Sequence, residues 1–475
     1  MSGTFIIGER KVRPGVYYRR ENGGGVTLAG AINGIGAALF QADWGPLNKV
    51  FDMDVTMTNN IKDYYGNGEK TAVLKELFKG GSQTIRAVRI GNDDGVEPRV
   101  VLKLADGTDA LLLMARYPGE REFTVTVRTN LITDNREIII YDGETIFEKA
   151  SFESGGDEVA AAMEAMERSK NFVLKKQGAA SGALESITQA VLGGGRNPSV
   201  TVASYEKGTD LLERYKWNCV VADTDDASVQ LLLDSFCDMS YETGHLGMAC
   251  IAGTHDQDLD ERMMYAASFN DEKIVYVLNG WNGSDGIEYE GWRAAARIGG
   301  MVSAFPTNTS LTHDVISNAI GLNEPLTNGE IIKAEQKGCL VLSLNDSDQV
   351  WIDSAINSLV TCNEDQDEGW KKIRRTKCRF ELMDRVDTTC EKLVGKVNND
   401  QDGQQTVIAT AQKVVNEMIA EKKLGFGSTV YLDPGYTPEG DSAWFKLAIV
   451  DIDSMEKIYL TYLFKYNQEQ YEAFV

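Results

Sequence analysis

The sequence has few of the residues on which metal and redox chemistry usually depend. It contains 3 histidines, at positions 245, 255 and 313, which are too few and too scattered to predict a zinc site. Its 7 cysteines are odd in number and include no Cys-x-x-Cys pair. Most of them are therefore predicted to be buried free thiols, in a protein made in a reducing compartment.

The chain also lacks an excess of positive charge. Its 48 basic side chains stand against 71 acidic ones, for a net charge of −23. Such a balance argues against an extended phosphate-binding surface, so we expect no direct contact with nucleic acid. The densest basic stretch, residues 371–375, follows the acidic run 364–368, and this arrangement predicts a mixed-charge surface.

Long apolar runs are missing as well. No stretch approaches the roughly 20 apolar residues of a membrane-spanning helix, and the N-terminus has no signal-peptide core. We therefore expect a soluble protein without membrane insertion, made in a cytoplasm. With 475 residues, the chain is long enough for several domains.

Each motif of known chemistry is incomplete. Residues 66–71 resemble a P-loop, but Glu69 separates the glycine from the lysine. Residues 30–36 are rich in glycine without the dinucleotide-binding spacing. Residues 398–403 resemble the start of a calcium loop, yet Ala409 stands where a bidentate glutamate belongs. The sequence thus predicts no catalytic residue, no metal ligand and no cofactor.

Both ends of the chain have the pattern of exposed β-strands. Residues 457–466 alternate, so that apolar side chains fall on one face. Residues 10–20 are also extended in character, because Pro14 excludes a helix and restricts the residue before it. A terminal strand needs a sheet to pair with. These strands either complete the chain's own sheet or add to the sheet of a neighbouring subunit.

The middle of the chain predicts an α/β fold. Residues 216–305 alternate apolar strands with helices, which favours a parallel sheet covered on both faces. Residues 96–198 instead contain short strands between turn signals, which indicate an inserted β-rich domain. After residue 330 we predict strands at 331–334 and 339–344, followed by helices.

The C-terminal part is predicted to be α+β. Helices are expected at about 348–360, 371–394 and 405–424, and closing strands at 444–451 and 457–466. The fold class is therefore α/β and α+β, with several domains. Their predicted bounds are an N-terminal arm (1–20), a parallel-sheet α/β core domain (21–95 with 199–330), an inserted β-rich domain (96–198), a C-terminal assembly domain (331–450) and a C-terminal strand arm (451–475).

Several segments, in order along nearly the whole chain, resemble the contractile tail sheath family of bacteriophages, prophage-like elements and R-type bacteriocins. Arg-Pro-Gly-Val-Tyr at 13–17 is similar to the family's opening, and Trp-Gly-Pro-Leu-Asn at 44–48 to its Gly-Pro-x-Asn segment. Further similar pieces are a Gly-Gly turn into an arginine-bearing strand (80–89), a Tyr-Pro-Gly segment that lacks the usual Gly-Asn (115–125), a Gly-Gly, strand and Leu-Leu-Glu pattern (193–213), a small-residue helix (291–301), the 373–375 triplet and the ending at 452–460.

The resemblance implies a structural subunit, not an enzyme. Such a subunit polymerises as a helical sheath or stacked rings around a tail tube, and it drives genome ejection or injection by contraction, without nucleotide. The implied partners are copies of itself, the tail tube protein, and baseplate and tail terminator proteins. The implied location is a virion tail or phage-like particle, assembled in the bacterial host cytoplasm.

Terminal strand exchange between neighbouring subunits is also implied, with the C-terminal domain as acceptor. The interface residues would be Val12, Pro14, Gly15, Val16, Tyr17, Ile458, Tyr459, Leu460, Tyr462 and Phe464. The hinges would be Gly23, Gly24, Gly25, Asp453 and Ser454.

Two alternatives stay open. The α/β pattern of residues 216–305 would also suit an enzyme or nucleotide-binding protein of unknown substrate, although the missing phosphate loop argues against it. A bacterial secretion or injection sheath would share the same architecture, and genomic neighbours would decide between these contexts.

Overall fold

The computed structural model describes residues 33–364 and 366–464, together with the backbone of two short N-terminal strands. In these residues the strands are β1 (Ser2–Thr4), β2 (Val16–Tyr18), β3 (Ile35–Phe40), β4 (Val50–Asp54), β5 (Thr84–Arg89), β6 (Arg99–Lys103), β7 (Asp109–Ala115), β8 (Phe123–Thr129), β9 (Arg136–Asp142), β10 (Thr145–Phe152), β11 (Phe172–Lys176), β12 (Ile187–Val191), β13 (Cys219–Ala222), β14 (Met248–Ala252), β15 (Ile274–Val277), β16 (Trp281–Gly283), β17 (Glu288–Tyr289), β18 (Ala319–Leu322), β19 (Cys339–Leu340), β20 (Leu342–Leu344), β21 (Val350–Ile352), β22 (Thr429–Leu432) and β23 (Phe445–Ala448).

The α-helices of the same residues are α1 (Ile61–Tyr65), α2 (Ala72–Gly80), α3 (Glu158–Met166), α4 (Val202–Leu212), α5 (Ala227–Thr243), α6 (Leu259–Phe269), α7 (Gly291–Ala304), α8 (Asn328–Gln336), α9 (Ile373–Cys390) and α10 (Gln401–Ala420). Short 3₁₀ helices lie at Val55–Asn60, Glu69–Thr71, Glu368–Lys371 and Glu391–Leu393.

A seven-stranded sheet forms the centre of the molecule, with the strand order β19-β15-β14-β13-β3-β5-β4. Neighbouring strands are parallel except for β4, which runs antiparallel to β5. Strands β13, β14 and β15 are buried throughout, as continuous apolar strands between helices should be. The sheet therefore agrees with the parallel sheet predicted from residues 216–305.

Helices cover both faces of this sheet. On one face the core includes Leu77 of α2 and Ile298 of α7, and on the other Leu212 of α4, Phe236 of α5 and Met263 of α6. The edge strand β19 belongs to the central sheet, although it lies beyond residue 330, where the core domain was predicted to end. The domain bounds otherwise stay predictions.

Helices α2 and α7 approach each other so closely that glycine is required at the crossing. A Cβ added to Gly300 would lie 2.3 Å from the Leu77 carbonyl oxygen, and one added to Gly80 would lie 2.3 Å from that of Arg297. Beside this crossing, the Arg297 guanidinium and the Glu76 carboxylate form a buried ion pair at 2.5 Å. The small-residue helix noted in the sequence is therefore a packing device.

The strands between residues 99 and 191 form two further sheets, of orders β10-β9-β8-β12 and β11-β7-β6. Their apolar side chains and those of α3 form a separate core cluster, which also contains Trp44 from the segment after β3. The Trp44 ring centroid lies 5.1 Å from that of Tyr117 and 5.4 Å from that of Phe123. This tryptophan therefore packs into the β-rich part of the molecule.

The C-terminal part combines α9, α10 and the hairpin β22–β23 around a small core that includes Leu382, Val415 and Val430. It is joined to the central part by buried polar contacts. The Lys377 Nζ on α9 donates to the carbonyls of Ser303 and Phe305 at the end of α7, at 2.9 and 2.7 Å. Burial lowers the pKa of Lys377 to about 7.

Two secondary-structure predictions were wrong. The strand expected at 331–334 lies in helix α8, because Thr327 and Glu330 form a capping box at its start. The helix expected at 348–360 is replaced by strand β21, which pairs with β20. Residues 457–464 pair with no strand among the described residues, so their pairing with the sheet of a neighbouring subunit stays a prediction.

Candidate assembly surface

The chain leaves the C-terminal core at a buried ion pair. Arg375, near the start of α9, donates through its guanidinium to the Asp451 carboxylate, and the two side chains are 8% and 5% exposed. Arg375 also pairs with Asp367, at 2.9 Å. The neighbouring Arg374 donates to the carbonyl of Ile452. These contacts fix the chain at residues 451–452, and removing the Arg375 charge would leave the Asp451 carboxylate buried without its partner.

A second set of contacts holds the next four residues. The Lys372 Nζ lies 2.8 Å from Asp453 and 2.9 Å from Glu456. Burial of Lys372 opposes its charge, but these two carboxylates overcome that effect and raise the pKa of the lysine. Glu456 also accepts hydrogen bonds from Ser310 at 2.8 Å and from Thr312 at 3.1 Å. We call residues 451–456, with the side chains that hold them, the clamp.

Beyond the clamp, the chain is exposed although it is strongly apolar. Residues 457–464 have no secondary structure. Tyr462 and Phe464 have nearly parallel rings, with centroids 6.3 Å apart, as side chains two residues apart on one face of an extended chain can have. The exposed fractions are 68% for Ile458, 89% for Tyr459, 69% for Leu460, 73% for Tyr462, 69% for Leu463 and 89% for Phe464. An apolar patch of this kind marks an interaction site.

The N-terminal arm makes a contact of its own. Strand β2 pairs in parallel with β1, so that Val16 lies opposite Ser2 and Tyr17 opposite Gly3. The backbones of the two predicted interface residues Val16 and Tyr17 thus lie in a short sheet within the same arm. The predicted interface residues Val12, Pro14 and Gly15 lie outside the described residues.

Of the two predicted hinges, only the C-terminal one lies within the described residues. Gly23, Gly24 and Gly25 lie outside the described residues. Asp453 and Ser454 lie inside the clamp, where the Ser454 amide donates to the Asp453 carboxylate at 2.8 Å. The Asp453 carboxylate therefore contacts Lys372 and its own neighbour, and the hinge role of both residues stays a prediction.

An open sheet edge lies near the clamp. Strands β22 and β23 pair with each other and with no other strand of the described chain. On the outer edge of β22 the Val430 amide donates to the Gln412 side chain at 2.9 Å, so the outer edge of β23 is the template for a further strand. Around this hairpin lie exposed apolar side chains, namely Phe426 at 89%, Tyr431 at 38% and Val450 at 41%.

Sequence reasoning missed the residues of the clamp. The basic stretch 371–375 was read as a mixed-charge surface, but Arg374 and Arg375 are 2% and 6% exposed. Their partners lie almost 80 residues later in the chain. One signal in the sequence could have predicted these contacts. Acidic residues recur at 451, 453 and 456, just before the apolar C-terminal run, and they could pair with the cations of residues 371–375.

The P-loop-like segment has a structural role at the central sheet. The Lys70 Nζ donates to the Asp223 carbonyl at 2.6 Å and lies 4.5 Å from the centroid of the Trp292 ring. The Asp223 side chain, buried at the end of β13, accepts from Tyr205 at 2.5 Å and from the Gln41 amide at 2.8 Å. These contacts join β3, β13 and α7 at the edge of the sheet where α/β proteins commonly bind ligands.

The calcium-loop-like segment, residues 398–403, and the cysteines also have structural roles. Asp400, in the calcium-loop-like segment, caps α10 by accepting from the Gly403 amide at 2.9 Å. The 7 cysteines are free thiols, and 6 of them are buried, whereas Cys362 is half-buried. Burial raises the pKa of Cys219 to about 12, so this thiol is unreactive at neutral pH. None of the helices in the described residues has both the length and the apolar character needed to cross a lipid bilayer.

Comparison with known protein families gives a match for the central part of the chain. Residues 199–358 match the family model of the phage tail sheath protein central domain. This range contains strands β13 to β21, of which β13, β14, β15 and β19 belong to the central sheet. A search of curated protein sequences finds no match.

Solved structures extend the likeness to almost the whole chain. A sheath tail protein from Desulfitobacterium hafniense has 15% identity and a TM-score of 0.70, with 92% of this chain and 100% of that chain covered. A sheath tail protein from Listeria innocua has 18% identity and a TM-score of 0.69, with 90% and 96% covered. The contracted helical sheath of the anti-feeding prophage has 9% identity and a TM-score of 0.53, with 96% and 99% covered. At these identities the likeness establishes the fold.

The family match and the shared fold together confirm the resemblance to contractile tail sheath proteins. Sheath proteins are structural, so the prediction that this chain is not an enzyme is confirmed as well. The chain is thus a mixed α/β protein of several sheets, similar to the sheath proteins of phage tails and of prophage-derived contractile particles.

Proposed function

We propose that this chain is a sheath subunit that polymerises around a tail tube and is linked to its neighbours by its terminal arms. The observation that carries the proposal is the contrast at residue 456. Up to that residue the chain is held by ion pairs to α9, and after it the apolar residues 457–464 are exposed. A segment that is anchored at one end and unpaired along its length suits addition to a neighbouring sheet.

The acceptor in this proposal is the hairpin β22–β23 of the next subunit. The outer edge of β23 offers backbone groups with which residues 457–464 can pair, and the apolar side chains around the hairpin offer contacts for alternate side chains of the arm. Each backbone hydrogen bond contributes about 1 kcal/mol net, to which the burial of apolar side chains adds. Ordering the arm opposes this gain by about 1–2 kcal/mol per residue. A net contribution of several kcal/mol per arm follows when apolar burial is substantial.

The clamp gives the arm a defined origin. Because Lys372, Arg374 and Arg375 lie on the rigid helix α9 or next to it, the arm leaves each subunit at a fixed position while residues 457–464 can turn as a unit. Such a connection keeps subunits joined when they rotate against each other. It suits contraction as a change between two packings of the same subunits, without nucleotide.

The partners and location in this proposal follow from the sheath role. Further copies of the chain form the helical sheath, the tail tube protein lies inside it, and baseplate and terminator proteins lie at its ends. The particle is a virion tail or a phage-like injection particle assembled in a bacterial host cytoplasm. The contracted helical sheath of the anti-feeding prophage, which shares the fold, supports this assignment.

Truncation after Glu456 tests the proposal directly. The shortened chain keeps the clamp, so we expect a soluble, folded subunit with nearly unchanged melting that forms no sheath tubes in electron micrographs. Leu460→Pro should act in the same way, because proline removes a backbone donor from the middle of the arm. Deleting residues 1–20 should also abolish tubes.

A matched control separates the arm from exposed apolar residues in general. Leu131, at the tip of the β8–β9 hairpin, is 97% exposed, so Leu131→Asp removes an equally exposed apolar side chain elsewhere. This variant should form tubes as the unmodified chain does. Normal tubes from the truncated chain, or its failure to fold, would contradict the proposal.

A further inference from the structure

Three side chains capable of binding a metal converge on one surface of the central part. His255 lies in the loop after β14, Glu288 in β17, and Glu290 immediately before α7. One ligand atom from each of them lies within 4.8 Å of the other two. The His255 Nδ1 is 2.6 Å from a Glu290 oxygen and 3.7 Å from a Glu288 oxygen.

The fold itself places the two carboxylates side by side. Glu288 and Glu290 flank Tyr289, whose ring is buried against Trp281 at a centroid distance of 5.0 Å and an interplanar angle of 4°. Because successive side chains of an extended segment point to opposite sides, burial of Tyr289 directs both glutamates to the same outer side. The core packing therefore determines their common orientation.

Further hydrogen bonds orient the site. One Glu290 carboxylate oxygen accepts from the His255 amide at 3.0 Å and from the Asn323 side chain at 3.3 Å, in addition to facing the imidazole. Contacts of this kind, made to a ligand by groups outside the site, hold metal-binding side chains in position. The Glu290 oxygen that faces the imidazole and a Glu288 oxygen would be the carboxylate ligands of a cation.

The spacing fits a small divalent cation. With metal–ligand distances of about 2.0–2.2 Å, the atoms around a tetrahedral ion lie roughly 3.3 Å apart. The observed separations of 2.6 and 3.7 Å lie on either side of that value. Shifts of less than about 1 Å in side chains that are 41%, 45% and 21% exposed would equalise them.

We propose that His255, Glu288 and Glu290 form a surface site for a divalent transition-metal ion of the zinc type, with water completing the coordination. An imidazole with two carboxylates favours such an ion over calcium or magnesium, which prefer oxygen ligands alone. The bound ion would join the loop after β14 to the start of α7. This site is independent of the proposed arms and of the sheath function.

Asp258 and Asp260, which follow His255 in the chain, are engaged outside this site. Asp258 caps α6 by accepting from the amides of Asp260 and Glu261. Asp260 also forms an ion pair with Lys333 at 2.5 Å. The site therefore differs from a loosely solvated acidic cluster, because it joins His255 to two glutamates of a separate segment and hydrogen bonds hold the Glu290 carboxylate in place.

Zinc titration of the full chain, freed of metals by a chelator, tests this inference. We expect calorimetry to show one Zn²⁺ bound per chain with a dissociation constant in the micromolar range, and thermal melting to shift upward. The decisive variant is Glu288→Gln, because it leaves the His255–Glu290 ion pair intact. It should weaken zinc binding at least tenfold, as should His255→Ala.

Two matched controls complete the test. Glu261→Gln changes an exposed carboxylate on α6 and should leave zinc binding unchanged. Cys362→Ser should also leave it unchanged, which excludes the partly exposed thiol as the ligand. Zinc binding that is equal in Glu288→Gln and in the unmodified chain, or binding only at millimolar concentration, would overturn the proposal and leave a simple ion pair.

Discussion

The Lys372 Nζ lies 2.9 Å from the Glu456 carboxylate, and all of the described residues after Glu456, 457–464, are exposed. The pair joins the start of α9 to the base of the C-terminal arm. With Arg374 and Arg375 it forms a row of cations that holds three successive points of the chain, at residues 451–456. The arm is therefore attached to the structure at a fixed place, although residues 457–464 have no partner strand among the described residues.

The buried pair of Arg375 and Asp451 should be important for stability. Replacing Arg375 by methionine leaves Asp451 buried without its main partner, which costs about 3–5 kcal/mol in such cases. We expect Arg375→Met to lower the free energy of unfolding by an amount of that order in urea denaturation. Lys371→Met is the matched control, because its partner Glu368 is 83% exposed and the pair should contribute less than about 1 kcal/mol. Equal effects of the two substitutions would contradict this account.

The crossing of α2 and α7 should not tolerate a methyl group. Gly300→Ala places a Cβ against the Leu77 carbonyl oxygen, and the backbone has to move to accept it. A loss of about 1–3 kcal/mol or more is expected for such overpacking. Gly329→Ala in α8 is the control, since its new Cβ meets no atom within 4 Å and alanine favours a helix. Melting temperatures should fall for the first variant and stay unchanged or rise for the second.

The Glu335 carboxyl group should make the free energy of unfolding depend on pH. Burial raises the pKa of Glu335 to about 7, and the nearby carboxylate of Asp353 adds to that effect, whereas Lys457 opposes it. The folded protein thus binds a proton more tightly than the unfolded chain, and stability is lost as pH rises from about 4.5 to about 7. Because Glu335 is only half-buried, solvent screening reduces the effect to about 1 kcal/mol.

Glu335→Gln tests this pH dependence. The variant should lose less stability than the unmodified chain between about pH 5 and about pH 8, as measured by urea denaturation at both values. The exposed Glu206→Gln in α4 serves as control and should follow the unmodified chain. A variant whose pH dependence equals that of the unmodified chain would show that Glu335 has no such role.

Much of the central fold could be predicted from local sequence. The alternation of strands and helices predicted for residues 216–305 agrees with β13, α5, β14, α6, β15 and α7 of the structure, because continuous apolar runs between helical segments leave few alternatives. The pattern failed where a capping interaction decided the outcome. Residues 331–334 are apolar enough for a strand, but the capping box of Thr327 and Glu330 starts a helix there.

The sequence predicted one part of the candidate assembly surface, the arm, but not the other part, the clamp. The alternating apolar residues 457–466 indicated an arm, because alternation is a local property. The clamp could not be predicted, since Arg374 and Arg375 meet residues 451–452 only after the chain has folded. Pairings over such sequence distances depend on tertiary structure, and charge alone does not specify them.

Hydrogen exchange of residues 457–464, measured by mass spectrometry in the isolated subunit and in assembled tubes, tests the central claim most directly. The account predicts rapid exchange in the subunit, where these residues are in no strand, and exchange slowed by about 100-fold or more in tubes, where a neighbouring sheet would protect their amides. Residues 248–252 of β14 should be protected in both states and serve as the internal control. Equally rapid exchange of residues 457–464 in both states, or strong protection already in the isolated subunit, would contradict the proposed strand addition.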